Sequence, residues 1–238
     1  MRKKILLPSL LGVAASFLSS LSAANWDTGA CPQPHVGPAP CIETEINGNI
    51  YHFNGNGGHV DGWHGRPEAE GGGEFDFLGT DLDLECDVVT YGCNLTLSGE
   101  VKKCQDSTGA WRIGVKMSRA DLSPGQFVCN FITMSGFPWY SKDSTITAHC
   151  PFEDNCDSFI PYDPNASTYI GNLGDISVDV SLVGNLVNAE HLHGVVFTPG
   201  IGANFSFSSP LYNCDEEEQD CSIDGVLTID NATSLEIY

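Results

Sequence analysis

Asp81-Leu82-Asp83-Leu84-Glu85-Cys86 is the stretch on which the fold turns. Its apolar residues recur at every second position. In an extended chain that period puts Leu82, Leu84 and Cys86 on one face and three carboxylates on the other. Upstream, Phe75 and Phe77 keep the same spacing, but Leu78 falls one step out of phase. Downstream the pattern returns in Leu95, Leu97 and Val101, and again in Trp111, Ile113, Val115 and Met117. Phe127-Val128-Cys129 with Phe131-Ile132 reads as a more buried run. Further strands are expected at Ile50 to Phe53, 144–149, Asp175 to Val183, Val195 to Thr198, Asn204 to Phe207, Val226 to Ile229 and Ser234 to Tyr238. Turn signals such as Ser107-Thr108-Gly109 and Ser123-Pro124-Gly125 separate them. Only Leu182 to His193 has a helix-like pattern, weakened by Gly184. Many short strands with turns between them predict an all-β, antiparallel, disulfide-stapled sandwich or barrel.

The chain start sets the compartment. Arg2, Lys3 and Lys4 precede an apolar stretch from Ile5 to about Leu21, then Ser22-Ala23-Ala24. A basic head, a short apolar middle and small residues before the cut describe a signal peptide over residues 1–24, cleaved near Ala24. Pro8, Gly12 and several serines break the stretch, so it is not read as a membrane anchor, and no transmembrane segment is expected elsewhere. The mature protein is expected to be secreted, periplasmic or at the cell surface. Residues 25–74 form an irregular Pro/Gly-rich N-terminal segment, and residues 75–238 the all-β domain.

Composition agrees with export. All ten cysteines lie beyond the signal: Cys31, Cys41, Cys86, Cys93, Cys104, Cys129, Cys150, Cys156, Cys214 and Cys221. An even count in an exported chain is a disulfide framework, and no C-x2-C knuckle for zinc occurs. Near neighbours suggest local bridges: 31 with 41, 86 with 93, 150 with 156, 214 with 221, leaving Cys104 to pair with Cys129. The Cys86-x6-Cys93 and Cys214-x6-Cys221 segments look like one bridged hairpin used twice. Charge is one-sided, with 31 Asp/Glu against 10 Lys/Arg in the full chain. Three of the basic residues leave with the signal, so the mature net charge is −24. Such a charge opposes binding to nucleic acid or anionic lipid, because phosphate contacts need clustered Lys/Arg, and neither partner is expected. It suits high-salt water or a calcium-rich matrix, or simply keeps the protein soluble.

Chemistry is harder to find. No G-x-S-x-G elbow, P-loop, Rossmann fingerprint, H-E-x-x-H or EF-hand loop occurs. His59, Asp61 and His64 share one Gly-rich loop, and His191-Leu192-His193 would place two imidazoles on one side of an extended strand. A zinc or copper site needs three or four such donors to converge; exposed loop histidines are the bland alternative. Asp215, Glu216 and Glu217 open an acidic loop between Cys214 and Cys221, a source of oxygens for weak calcium binding. Asp81, Asp83 and Glu85 read as a solvated face. Phe137, Trp139 and Tyr140 flank Pro138 and either cap the core or form a patch for hydrocarbon contact.

Three segments carry a family resemblance. Cys93-Asn94-Leu95-Thr96-Leu97-Ser98-Gly99-Glu100-Val101, Phe127-Val128-Cys129-Asn130-Phe131-Ile132 and Ser135-Gly136-Phe137-Pro138-Trp139 together resemble the secreted alkane-oxidation activator proteins of pseudomonads and related marine bacteria. In that family a cysteine precedes an L-T-L-x-G strand and a second precedes a G-[LF]-P-W turn. Leu173 to Val180 and the acidic Cys214 hairpin match more loosely. The likeness covers about residues 75–238; the extra cysteines, residues 25–74 and the strong acidity depart from it. It implies a small, exported, non-enzymatic protein that promotes growth on hydrocarbons and associates with the extracellular matrix, with no catalytic residues to carry over. The partner expected is a matrix or cell-surface component, a hydrocarbon, or further copies of the chain, and no cofactor is expected beyond weak calcium. The competing readings are a secreted metal-dependent hydrolase using the loop histidines and a calcium-dependent matrix or adhesion subunit.

Overall fold

The computed structural model describes residues 26–32, 39–53, 62–86, 89–123, 127–147, 150–181 and 184–238. The expected signal segment, His59 and Asp61 lie outside them. Strands follow in the order β1 (Asp27–Thr28), β2 (Ile42–Ile46), β3 (Asn49–Phe53), β4 (Phe75–Cys86) and β5 (Val89–Gln105). Next come β6 (Trp111–Ser123), β7 (Ile132–Ser135), β8 (Trp139–Asp143), β9 (Ile160–Pro161) and β10 (Tyr169–Val180). The last five are β11 (Gly184–Thr198), β12 (Gly200–Ile201), β13 (Asn204–Tyr212), β14 (Glu218–Ile229) and β15 (Ser234–Ile237). No helix among the described residues is long and apolar enough to cross a membrane.

Eight of these strands close on themselves. The order β11-β13-β14-β4-β5-β6-β8-β10 returns to β11 through the β10–β11 ladder, and every pairing is antiparallel. Closure removes the unpaired edges that an open sheet would expose. Of the two architectures the periodicity allowed, the molecule adopts the barrel. The deciding stretch behaves as its pattern requires: Leu82 and Leu84 are buried, while Asp81, Asp83 and Glu85 face water. Leu78 lies on the outer, half-buried face before the bulge, and the change of phase comes just after it. The β4–β5 register shifts between Gly79 and Leu82, and Asp81 sits at φ +53°, so one extra residue moves the inward parity from Phe75 and Phe77 to Leu82 and Leu84.

Eight strands make a barrel just wide enough for its own side chains. Phe77, Leu97, Met117, Trp139, Leu173, Leu192, Phe205 and Leu227 fill it. The internal voids measure about 30, 20 and 30 Å³ and are lined almost wholly by apolar groups. They are water-sized and give a water nothing to bond to.

The segment expected to be irregular contributes three strands to a second sheet, ordered β1-β3-β2-β15-β12 and completed by two strands from the C-terminal part of the chain. Its hairpin turns on Asn47-Gly48, both at positive φ (54° and 80°) as a two-residue hairpin loop requires. Leu235 and Ile237 of β15 border the same void as Phe77 and Phe205, which places this sheet across one end of the barrel. Two further expectations change. Residues 144–147 form a turn after β8 and not a strand, and the helix-like 184–193 region belongs to β11. Ala189 at φ +55° and repeated register shifts against β10 interrupt the period of two there, which is why the pattern looked helical.

Four basic residues of the central strands are matched to acids: Lys102 to Asp154 (2.8 Å), Arg112 to Asp106 and Asp143 (2.8 and 3.2 Å), Arg119 to Asp121 (2.7 Å), and Lys116 to Glu100. Lys103 differs. Its ammonium is buried and donates to the carbonyls of Pro40 (2.7 Å) and Phe53 (3.0 Å), tying the small sheet to the barrel. Burial pulls its pKa down to about 7 from 10.5. Between those values the unfolded chain holds the proton that the folded chain has released, so stability rises with pH by up to about 1.4 kcal/mol per unit. Relative to Lys103→Met, the parent protein should gain stability in urea titrations as pH goes from 7 to 9. Parallel curves for the two proteins would refute the assignment.

Four bridges are resolved: Cys31–Cys41, Cys93–Cys129, Cys104–Cys156 and Cys150–Cys214. Cys221 is also disulfide-bonded, and its neighbour across the β14–β4 ladder is Cys86. Only the 31–41 expectation survives; the pairings 86–93, 150–156, 214–221 and 104–129 do not occur. Ladder geometry explains the first failure. Cys93 registers with Leu82 and Cys86 with Val89, so the two cysteines sit four positions apart along the hairpin. That is roughly 13 Å of strand, beyond a disulfide's reach. The repeated bridged hairpin is therefore absent too.

Candidate functional site

The densest gathering of titratable donors lies on the outer face of the barrel at β11. Alternation along that strand turns Leu192 into the core and sends His191 and His193 outward together. The Nε2 atoms of the two imidazoles stand 2.8 Å apart. Glu216 meets both: its Oε1 is 3.2 Å from His191 Nε2 and its Oε2 is 3.2 Å from His193 Nε2. Among the described residues this is the only set of three His, Cys, Asp or Glu side chains close enough to share an ion. His191 is fully buried, while His193 and Glu216 keep 29% and 35% of their side-chain surface, so the cluster is walled below and open above.

Three elements hold it in place. Glu216 projects from a tight turn between β13 and β14. Asn213 Oδ1 there accepts from the N–H groups of Asp215 (3.0 Å) and Glu217 (2.9 Å), and Glu216 takes a left-handed φ of +63°. The Cys150–Cys214 bridge fastens this turn to the segment after β8. That segment lays Phe152 over His191, with ring centroids 5.2 Å apart. Phe152 can lie there because Gly174, the partner of His191 in the β10–β11 ladder, has no side chain; a Cβ at 174 would run into the Phe152 ring. Lys142 supports the same segment from below, donating to the Pro151 carbonyl at 3.3 Å. Tyr212, opposite His191 on β13, stacks on His193 at 4.1 Å and 12°. Both rings are thereby fixed by packing, with their nitrogens aimed at one point.

The residues expected from sequence are distributed as follows. Glu216 joins the cluster. Asp215 and Glu217 stay exposed beside it, Glu217 accepting from Asn213 Nδ2 at 3.2 Å, and do not converge with Glu216. His64 is elsewhere. It is buried between the barrel and the small sheet, stacked on Phe53 at 3.7 Å, and its backbone bridges to Val101. A ring held in this way packs the core.

The aromatic patch divides. Trp139 is 2% exposed and points into the barrel, its Nε1 donating to the Ser135 carbonyl (2.9 Å) and its ring stacked on Phe137. Strand alternation then turns Tyr140 outward, beside Trp63 at 5.8 Å. Phe137, Trp139 and Tyr140 thus do not form one external surface. Trp63 was overlooked in the sequence. It donates to Asp154 Oδ2 (2.9 Å), and the Lys102 and Lys116 ammoniums lie 5.4 and 5.1 Å from its ring centre. The joining of His191 and His193 to Glu216 was likewise not legible in sequence, although the alternating His-x-His was its visible half.

Fold and site together define a closed, disulfide-bonded antiparallel β-barrel with a filled interior and a His-His-Glu cluster on its outer wall. Comparisons with protein-family models, with curated proteins and with solved structures yield no match for this chain.

Proposed function

We propose that the protein is an exported, acidic, non-enzymatic binding protein that works from its outer face at the cell surface or in the extracellular matrix, promoting growth on hydrocarbons. The observation that carries this reading is the oxidised state of the cysteines, with no free thiol among the described residues. Bridges between sequence-distant strands persist in oxidising compartments and are rare in the cytosol. The water-sized voids support recognition on the outer face, since they leave no room for a ligand inside the barrel. The hydrocarbon role rests on the likeness of the Cys93, Cys129 and Gly136-Phe137-Pro138-Trp139 segments to the alkane-oxidation activators.

Fractionation of cells grown on a long-chain alkane and on an organic acid tests both halves of this proposal. The expected result is protein in the surface and matrix fractions with mapped, intact bridges, and slower growth of a deletion strain on the alkane alone. Reduced protein in the cytoplasm would refute export. Equal growth of the deletion strain on both carbon sources would remove the hydrocarbon role.

A further inference from the structure

We propose that His191, His193 and Glu216 form a binding site for a single zinc ion. The donor set is the first support. Two imidazole nitrogens and a carboxylate are what a borderline divalent cation takes, whereas calcium requires six to eight oxygens. The spacing is the second. Donors about 2.0–2.1 Å from one tetrahedral zinc stand roughly 3.3 Å from each other. The two Nε2 atoms stand 2.8 Å apart and each lies 3.2 Å from its own oxygen of the Glu216 carboxylate, and one donor atom from each residue falls within 4.8 Å of the others, so one ion fits among them after a small adjustment of the side chains.

Hydrogen accounting supplies the third support. A neutral imidazole Nε2 carries either one hydrogen or one lone pair in the ring plane. With the two Nε2 atoms facing each other at 2.8 Å, at least one must present its lone pair, and both also face carboxylate oxygens. Two imidazole nitrogens and a carboxylate gathered on a chain of net charge −21 favour a positive charge at their centre. A zinc ion meets all three donors at once.

Preorganisation is the fourth. Tyr212 stacking, Phe152 packing, the Asn213-capped turn and the Cys150–Cys214 bridge hold the two β11 histidines and the Glu216 turn together without relying on an ion to assemble them. Since His193 and Glu216 are partly exposed, the ion would keep a coordination position open to water or to a donor atom from another molecule. The site stands apart from the hydrocarbon reading and can hold or fail without it.

The test uses the purified mature protein, stripped with chelator and titrated with zinc alone. Metal content by mass spectrometry should give one zinc per chain. Competition with a zinc indicator should show His193→Ala and Glu216→Gln each weakening affinity at least about tenfold. Both side chains are partly exposed, and unchanged circular dichroism will show that the variants fold. Asp215→Asn with Glu217→Gln should bind zinc as the parent does. Cobalt in place of zinc should give the visible bands of a four-coordinate site in the parent and lose them in both ligand variants. No stoichiometric zinc, zinc binding indifferent to both ligand variants, or displacement of zinc by equimolar calcium would each overturn the proposal.

Discussion

Replacing Cys150 and Cys214 together by serine should lower the unfolding free energy by about 4 kcal/mol, because the bridge closes a loop between residues 64 apart in sequence. The same entropy argument gives about 2.7 kcal/mol for Cys31–Cys41, whose partners are ten residues apart. Urea titration of the two double variants should therefore rank them in that order. Local consequences should follow at the histidine cluster. Without the bridge the Glu216 turn and the Phe152 segment are no longer joined, and zinc affinity should fall along with stability. A loss of stability below about 1 kcal/mol for the 150/214 pair would mean that the unfolded chain is already restricted there by other means.

Trp139→Ala should cost about 3–5 kcal/mol, as expected for a large aromatic removed from a close-packed interior. Tyr140→Ala, one position further on and facing out, should cost less than about 1 kcal/mol. The pair reads the strand's inside and outside directly. Thermal or urea unfolding of both variants checks it, and comparable losses would show that the alternation of β8 has been assigned wrongly. The contrast also bears on hydrocarbon contact. Tyr140 and Trp63 remain available on the outer surface, whereas Trp139 could reach a ligand only by leaving the core.

Much of the architecture was legible in the chain because its information is local. Leu82 and Leu84 alternate with acids, and that alone specifies a half-buried strand. The change of parity from Phe75 and Phe77 to Leu82 and Leu84 already marked the bulge that Asp81 makes. Where the reading failed, a competing local feature had interrupted the period. Ala189 and the bulges of β10–β11 break the period of two and give a strand a helix-like pattern, and the prolines near Cys31 and Cys41 mask β2, which follows directly on Cys41. The Asn47-Gly48 pair is the local signal of the β2–β3 hairpin. The cysteines failed for another reason. Sequence proximity measures separation along the chain, and in a barrel the nearest neighbour in space lies across a ladder or on a distant connection, as Cys104–Cys156 and Cys150–Cys214 show.

By itself the sequence determined the strand class, the disulfide framework, the acidity and the expectation of export, since each follows from composition or from a period of two. Only the tertiary structure decided that the sheet closes, which cysteines meet, that Trp139 faces inward, and that two histidines of one strand stand against a glutamate 23 residues beyond the second of them. The physical reason is closure. The β10–β11 ladder and the 150–214 bridge bring together groups whose separation along the chain carries no information about their distance in space. The same closure fills the barrel with side chains and leaves the chemistry on its outer wall.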